Sequence, residues 1–152
     1  MYDKALLLAK KYDADIEIVS LGALLHDIAL IKKVGKRSAH HINGAKIAEE
    51  ILNKYNYPQE KIKRVKNCVL HHRTSFDAEN KEEVCVSDAD ILSHFDNIPM
   101  IFDYAYKNYD VNLSNIRSFI KRYFENDYND LSDKTKVIFK EEYENIMNVL
   151  FK

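Results

Sequence analysis

All six histidines of the chain fall between positions 26 and 94, as His26, His40, His41, His71, His72 and His94. Four of them form two doublets, which the surrounding pattern sets at helix ends beside polar loops. Side chains at such ends can converge on one cleft without disturbing a core. Imidazoles gathered with carboxylates are ligands for a divalent cation or groups for acid–base work. His26-Asp27 is the sharpest feature. It follows LGALL and precedes IAL, so it interrupts an apolar segment. A carboxylate buried there without a partner is costly or must shift its pKa. A divalent ion resolves the conflict, because it neutralises Asp27 and takes the lone pair of a neutral His26. Neighbours on a helix diverge by about 100°, so both reach one ion only if it sits beside the helix. Taken alone, the pair reads more readily as a satisfied core histidine and a carboxylate hydrogen-bonded to a neighbouring helix.

Helices must position these residues. Residues 3–12 (DKALLLAKKY) are strong helix formers with an apolar face. Asp13 to Asp15 can break and recap the chain. Residues 16–31 predict a central helix, apolar almost all round. KKVGKRS, 32–38, is a polar loop, and Ser38 is placed to cap a helix over about 39–55. Pro58 suits the first turn of a helix running to about His72, followed by a polar loop over 73–83. VCVS alternates like a strand, but DADILSHF continues as a helix and no second strand is evident, so 84–95 reads as helical. Pro99 opens a helix to about Asn108. Ser114 and Ser132 are placed as N-caps of two amphipathic helices, 115–126 and 133–151. The aromatics of 101–124 (Phe102, Tyr104, Tyr106, Tyr109, Phe119, Tyr123, Phe124) recur at roughly helical spacing. They read as core packing rather than a base-stacking surface.

Composition agrees with an all-α fold. The 152 residues bound one domain of ordinary size. Hydrophobic residues make up 46% and charged residues 31%, a normal balance for a water-soluble domain. With 3 Gly and 2 Pro, the chain lacks the turn formers that a sandwich or barrel needs. A formal net charge of −1 supplies no overall basic field for nucleic acid or anionic lipid. Cys68 and Cys85 lie far apart without a CxxC spacing and read as buried free thiols in a reducing compartment. No signal peptide is evident, and no apolar run approaches the ~20 residues that span a bilayer. The expectation is a cytoplasmic protein without membrane association.

Four ordered segments carry a family resemblance. LGALLHDIAL resembles the helix that names the HD superfamily of metal-dependent phosphohydrolases, and SAHHINGAKIAEEIL resembles its following His-x-x-x-Gly-Ala helix. VLHHR resembles the next histidine element, and VSDADIL the element bearing the final aspartate. The resemblance covers about residues 1–95. It implies a single all-helical HD-type bundle over 1–152, with a motif-bearing core at about 1–95 and variable helices at about 96–152. It also implies a site for one or two metal ions and hydrolysis of phosphate esters, often in nucleotides.

Carried over residue by residue, His26, Asp27 and Asp90 match the primary metal ligands. His40 is preferred to His41 because it stands four residues before Gly44, and His72 to His71 because it directly precedes Arg73. In members with two ions these two histidines would hold the second. A ligand set without thiolate suits Mn²⁺, Fe²⁺, Co²⁺, Ni²⁺, Mg²⁺ or Zn²⁺. The implied reaction is attack on a phosphoryl group by a metal-activated water. Asp88 would orient the water or act as a general base, unless it caps a helix. Arg73 and Lys33 would join in catalysis by neutralising phosphate charge, and Lys32, Lys36, Arg37, His41 and His71 would contact substrate. His94 lies beyond the pattern and reads as a surface histidine.

Two departures qualify the carry-over. The family has a first ligand histidine well upstream of the His-Asp pair, and counting back from His26 runs off the start of the chain. IAL follows the pair where Gly and a basic residue are common, so the 32–37 cations would take the phosphate contact. The alternative expectation is therefore an HD-fold binding or regulatory domain with weakened turnover. A third is a helical interaction module with structural histidines. The expected partner is a small phosphorylated substrate such as a nucleotide, and the helices after 95 could cover the cleft or mediate a homodimer.

Overall fold

The computed structural model describes residues 1–108 and 112–152, and every regular element among them is helical. Two compact units divide the chain, Met1–Asp90 and Ile91–Lys152. The first holds α1 (Tyr2–Tyr12), α2 (Ile16–Leu25), α3 (Ile28–Ile31), α4 (His40–Lys54), α5 (Gln59–Leu70) and most of α6 (Lys81–Asp96). Single 3-10 turns lie at Arg37–Ala39 and Ser75–Asp77. The second unit holds the end of α6, then α7 (Ile98–Asn108), α8 (Leu113–Asp130) and α9 (Asp133–Phe151).

The break expected at 13–15 is built from two aspartates. Asp13 takes the left-handed conformation, φ 52°, and closes α1. Asp15 caps α2, its carboxylate accepting from the amides of Glu17 and Ile18. Its own amide donates to Glu82 Oε1 at 2.9 Å, and Arg64 reaches Asp15 at 3.1 Å and Glu82 at 3.3 Å. This corner ties α2, α5 and α6 together.

The helix expected over 16–31 is two helices. At Asp27 the backbone leaves helical geometry (φ −104°, ψ 17°), and the amides of Leu30 and Ile31 turn to the Asp27 carbonyl to start α3. Other boundaries move for identifiable reasons. Ser38 does not cap α4. It lies inside the 3-10 turn that runs directly into the helix, where the Ala39 amide already donates to the Lys36 carbonyl. Asn80 Oδ1 accepts from the amides of Glu82 and Glu83, so α6 starts at Lys81 and VCVS is helical, as read. Asn112, not Ser114, caps α8, and the helix runs past residue 126 to Asp130. Ser132 stands at the N-cap of α9, as expected.

Within the first unit α4 packs on α5, α2 on both α5 and α1, and α3 on α4. Ala9, Ile18, Val19, Val65, Val69, Val86 and Ala89 are all fully buried there. Gly22 permits the close approach of α2 and α5, since a Cβ at that position would stand 2.7 Å from Cys68 Cβ and 3.1 Å from Val86 Cγ2. Cys68 and Cys85 are free and buried, as expected, and burial pushes the Cys68 thiol well above its ordinary range.

In the second unit Phe124 is fully buried and stacks on Phe95, with Phe139 against the edge of Phe95. The core reading of the 101–124 aromatics holds fully for Phe124 alone. Phe102, Phe119 and Tyr123 are half-buried, and Tyr104 and Tyr106 are exposed because the buried stripe of α7 is Ile101 and Ala105. Tyr109 lies outside the described residues. Among the described residues no helix is long and apolar enough to cross a membrane.

Candidate metal centre

Five of the sequence-predicted residues meet in the first unit. His26 and Asp27 occupy the break between α2 and α3, His40 opens α4, His72 stands just past the end of α5, and Asp90 lies on α6. Asp27 is the hub. Its Oδ2 is 3.7 Å from His26 Nε2, and its Oδ1 is 3.3 Å from His40 Nε2 and 3.8 Å from His72 Nε2. Asp90 Oδ1 lies 3.6 Å from His26 Nε2. Asp27, His40 and His72 each offer a ligand atom within 4.8 Å of the others. The interrupted helix explains how neighbours in sequence share a site: Asp27 departs from helical geometry, so the two side chains need not diverge as on a continuous helix.

The three histidines are held in one way. His26 Nδ1 is 2.8 Å from the Ala23 carbonyl, His40 Nδ1 is 2.7 Å from the Arg37 carbonyl, and His72 Nδ1 is 2.7 Å from the Val69 carbonyl. A carbonyl only accepts, so each Nδ1 carries the proton and each Nε2 presents a lone pair to the centre. Two of those lone pairs face each other, with His40 Nε2 and His72 Nε2 at 3.0 Å. Neutral imidazoles in this tautomer repel there unless a cation or a proton stands between them. A proton is the poorer answer at His72, which is 1% exposed. Burial holds its pKa below the ordinary imidazole range, with the Val69 carbonyl and Asp90 opposing, and His26 and His40 adding to the depression. A divalent ion fits this donor set. The Asp27 side chain remains 37% exposed, so the centre is open to solvent on that side.

The remaining predicted residues are arranged around this cluster to different degrees. Asp88 is fully buried and is not among the converging ligand atoms. The His41 ring stands 5.7 Å from that of His40, and its Nδ1 is buried without a hydrogen-bond partner. Burial, then the nearby charge of Arg73, holds its pKa below the usual range. His71 is engaged by a residue the sequence reading missed: its Nδ1 lies 2.7 Å from Oε2 of the fully buried Glu83. Glu83 also accepts from the Glu79 amide and the Asn80 side chain. The available signal was Asn80-x-x-Glu83, the spacing of a helix-capping pair. Arg73 is exposed. Lys32, Lys33, Lys36 and Arg37 are exposed on the loop before His40, and Arg37 serves the centre through its carbonyl. His94 departs from the surface reading, since it is half-buried in the second unit with Nδ1 2.9 Å from Asp127 Oδ2 and 3.2 Å from the Tyr123 hydroxyl.

Comparison with known proteins gives a family match over the part of the chain that carries these residues. The HD domain family model matches residues 1–94. The chain is 37% identical over 57 residues to an uncharacterized protein of Clostridium beijerinckii, a stretch covering 38% of this chain and 36% of that protein. The match thus spans little more than a third of the relative's length. No solved structure matches the chain.

Proposed function

This chain belongs to the HD domain family, and we propose that it is a metal-dependent phosphohydrolase acting on a nucleotide or another small phosphate ester. One observation carries the reading: the Nε2 atoms of His40 and His72 stand 3.0 Å apart beside a half-exposed carboxylate, a donor set that suits a cation. His26, Asp27 and Asp90 would hold one ion, and His40 and His72, with Asp27 shared between the two groups, would hold a second. A bound divalent ion supplies Lewis-acid activation of water and of a phosphoryl oxygen.

The chain's own groups do the rest. The carbonyls of Ala23, Arg37 and Val69 keep three imidazoles in one tautomer and orientation, so the donors need not reorganise. Arg73 with Lys33 offsets the negative charge of the phosphate, and Lys32, Lys36 and Arg37 draw the anion towards the cleft. His41 faces the same electrostatic neighbourhood as Arg73 and His71, which supports a polar contact to substrate there. Glu83 orients His71 for the same role. Buried Asp88 supports a structural part on α6 better than a direct encounter with water. A reducing, cytoplasmic setting suits the two buried free thiols.

The test is elemental analysis of chain purified without chelator or affinity-tag metal, beside Asp27→Ala, followed by a phosphate-ester screen. The reading expects near-stoichiometric transition metal that disappears in the variant, and turnover that disappears with it. Metal without turnover on any phosphate ester would leave the HD-fold binding or regulatory domain as the better reading. No metal in either protein, after Mn²⁺ or Ni²⁺ is supplied, would overturn the site itself.

A further inference from the structure

The loop between the two halves of the metal centre has a character that phosphate binding by a small substrate does not use up. From Ile28 to Ala48 the sequence contains no Asp or Glu. Within that stretch Lys32, Lys33, Lys36 and Arg37 are all exposed, and none of them forms an ion pair among the described residues. Interleaved with them are aliphatic side chains in water: Ile31 is 73% exposed, Val34 43% and Ile42 45%. The loop is ordered by its own contacts. Lys33 turns through a left-handed φ of 55°, and the Val34 amide donates to the Ala29 carbonyl. Gly35, at φ 74°, lies so close to α4 that a Cβ there would stand 2.2 Å from Asn43 Nδ2. Val34 is thereby seated beside the start of α4, where Ile42 is also exposed.

We propose that this loop docks the protein on an anionic lipid surface, with Ile31, Val34 and Ile42 entering the headgroup boundary and the four cations paired with lipid phosphates. Aliphatic side chains gain by leaving water for that boundary, whereas nucleic acid rewards aromatic stacking, and this patch has none. The net charge of −1 does not argue against it. At physiological salt, fields are screened beyond about 8 Å, so a surface meets the local cations and not the chain's total. A polybasic cluster of this size is enough to draw a segment to anionic leaflets. The Arg37 carbonyl holds His40, so the docked loop bears directly on a residue of the metal centre.

The experiment is co-sedimentation of the full chain with phosphatidylcholine vesicles carrying increasing phosphatidylglycerol, at low and high salt. Binding is expected only with the anionic lipid, fading as salt rises. Lys32→Gln with Lys33→Gln should weaken it about 25-fold, roughly fivefold for each cation. Ile31→Asn with Val34→Asn should weaken it on the same vesicles, and Lys10→Glu with Lys63→Glu, charge changes on α1 and α5, should not. Circular dichroism checks that each variant keeps its helices. The proposal is overturned if phosphatidylglycerol vesicles bind no better than phosphatidylcholine at low salt, or if the α1 and α5 charge changes weaken binding as much as the loop changes. It is overturned equally if the aliphatic variant binds vesicles like the wild type, and an oligonucleotide that then competes through the lysines would assign the patch to nucleic acid.

Discussion

A lone pair facing a lone pair is a residue-scale conflict, and it has a measurable consequence for stability. His40 and His72 are locked by carbonyls into the tautomer that repels across 3.0 Å, so an ion that binds only the folded chain stabilises it by mass action. At a hundredfold excess over its dissociation constant the gain is about 2.7 kcal/mol. Thermal melts with and without Mn²⁺ or Ni²⁺ should therefore differ by several degrees in the wild type and not in Asp27→Ala; equal shifts in both would place the ion elsewhere. Asp15 carries a second residue-scale prediction, this one on pH. Burial alone would raise its pKa, but the amides of Ile18 and Glu17 and the Arg64 guanidinium outweigh that and hold it below its ordinary value of 3.8. A carboxylate whose folded pKa is depressed adds stability above the unfolded value, and that stability is lost as pH falls through the folded pKa. Asp15→Ala should cost about 1 kcal/mol at neutral pH, and urea melts should show the gap to wild type closing as the pH drops below 3.8. A gap that persists unchanged at low pH would mean the cap acts through something other than its charge.

At the scale of elements, the sequence announces what a helix buries more plainly than where it stops. The existence and type of every major helix are legible because apolar residues recur at helical spacing, and even VCVS yields to the absence of a partner strand. The break at His26-Asp27 is not legible, because LGALLHDIALI keeps an unbroken apolar character through it. What breaks the helix is one residue's backbone geometry. Likewise His26, Asp27, His40, His72 and Asp90 could be named through the motifs that resemble the HD family, while the groups that orient them could not. Ala23, Arg37 and Val69 contribute carbonyls, and a carbonyl carries no residue signature. Packing distances are hidden in the same way, and Gly22 makes the point testable. In an exposed helix, Gly→Ala would gain about 1 kcal/mol of propensity. Here the new methyl meets Cys68 Cβ at 2.7 Å, and overpacking of a filled core costs about 1–3 kcal/mol. Gly22→Ala should therefore be net destabilising in denaturant melts, and a stabilised variant would show that α2 and α5 can separate without penalty.

Across the whole molecule, chemistry and core are distributed unequally. All five candidate ligands belong to Met1–Asp90, and the family match ends at residue 94. The core of Ile91–Lys152 adds aromatic rings to its aliphatic residues, whereas the buried hydrophobic residues of the first unit include none. Phe95, Phe124, Phe139 and Tyr143 form one cluster, and Tyr143 stacks on Tyr128 with ring centroids 3.9 Å apart. The single-domain reading came from chain length and the family resemblance, with a motif-bearing core at about 1–95 and variable helices at about 96–152. If the two units are also energetically distinct, removing the centre of the aromatic core should damage one and spare the other. Phe124→Ala deletes the largest fully buried side chain among the described residues, a change that costs about 3–5 kcal/mol. The variant should melt earlier and lose part of its helical signal in a separate first step, while retaining the wild-type ion stoichiometry below that step. If metal content instead falls in proportion to the lost helical signal, the two units unfold as one, and the centre depends on the aromatic core as much as on its own ligands.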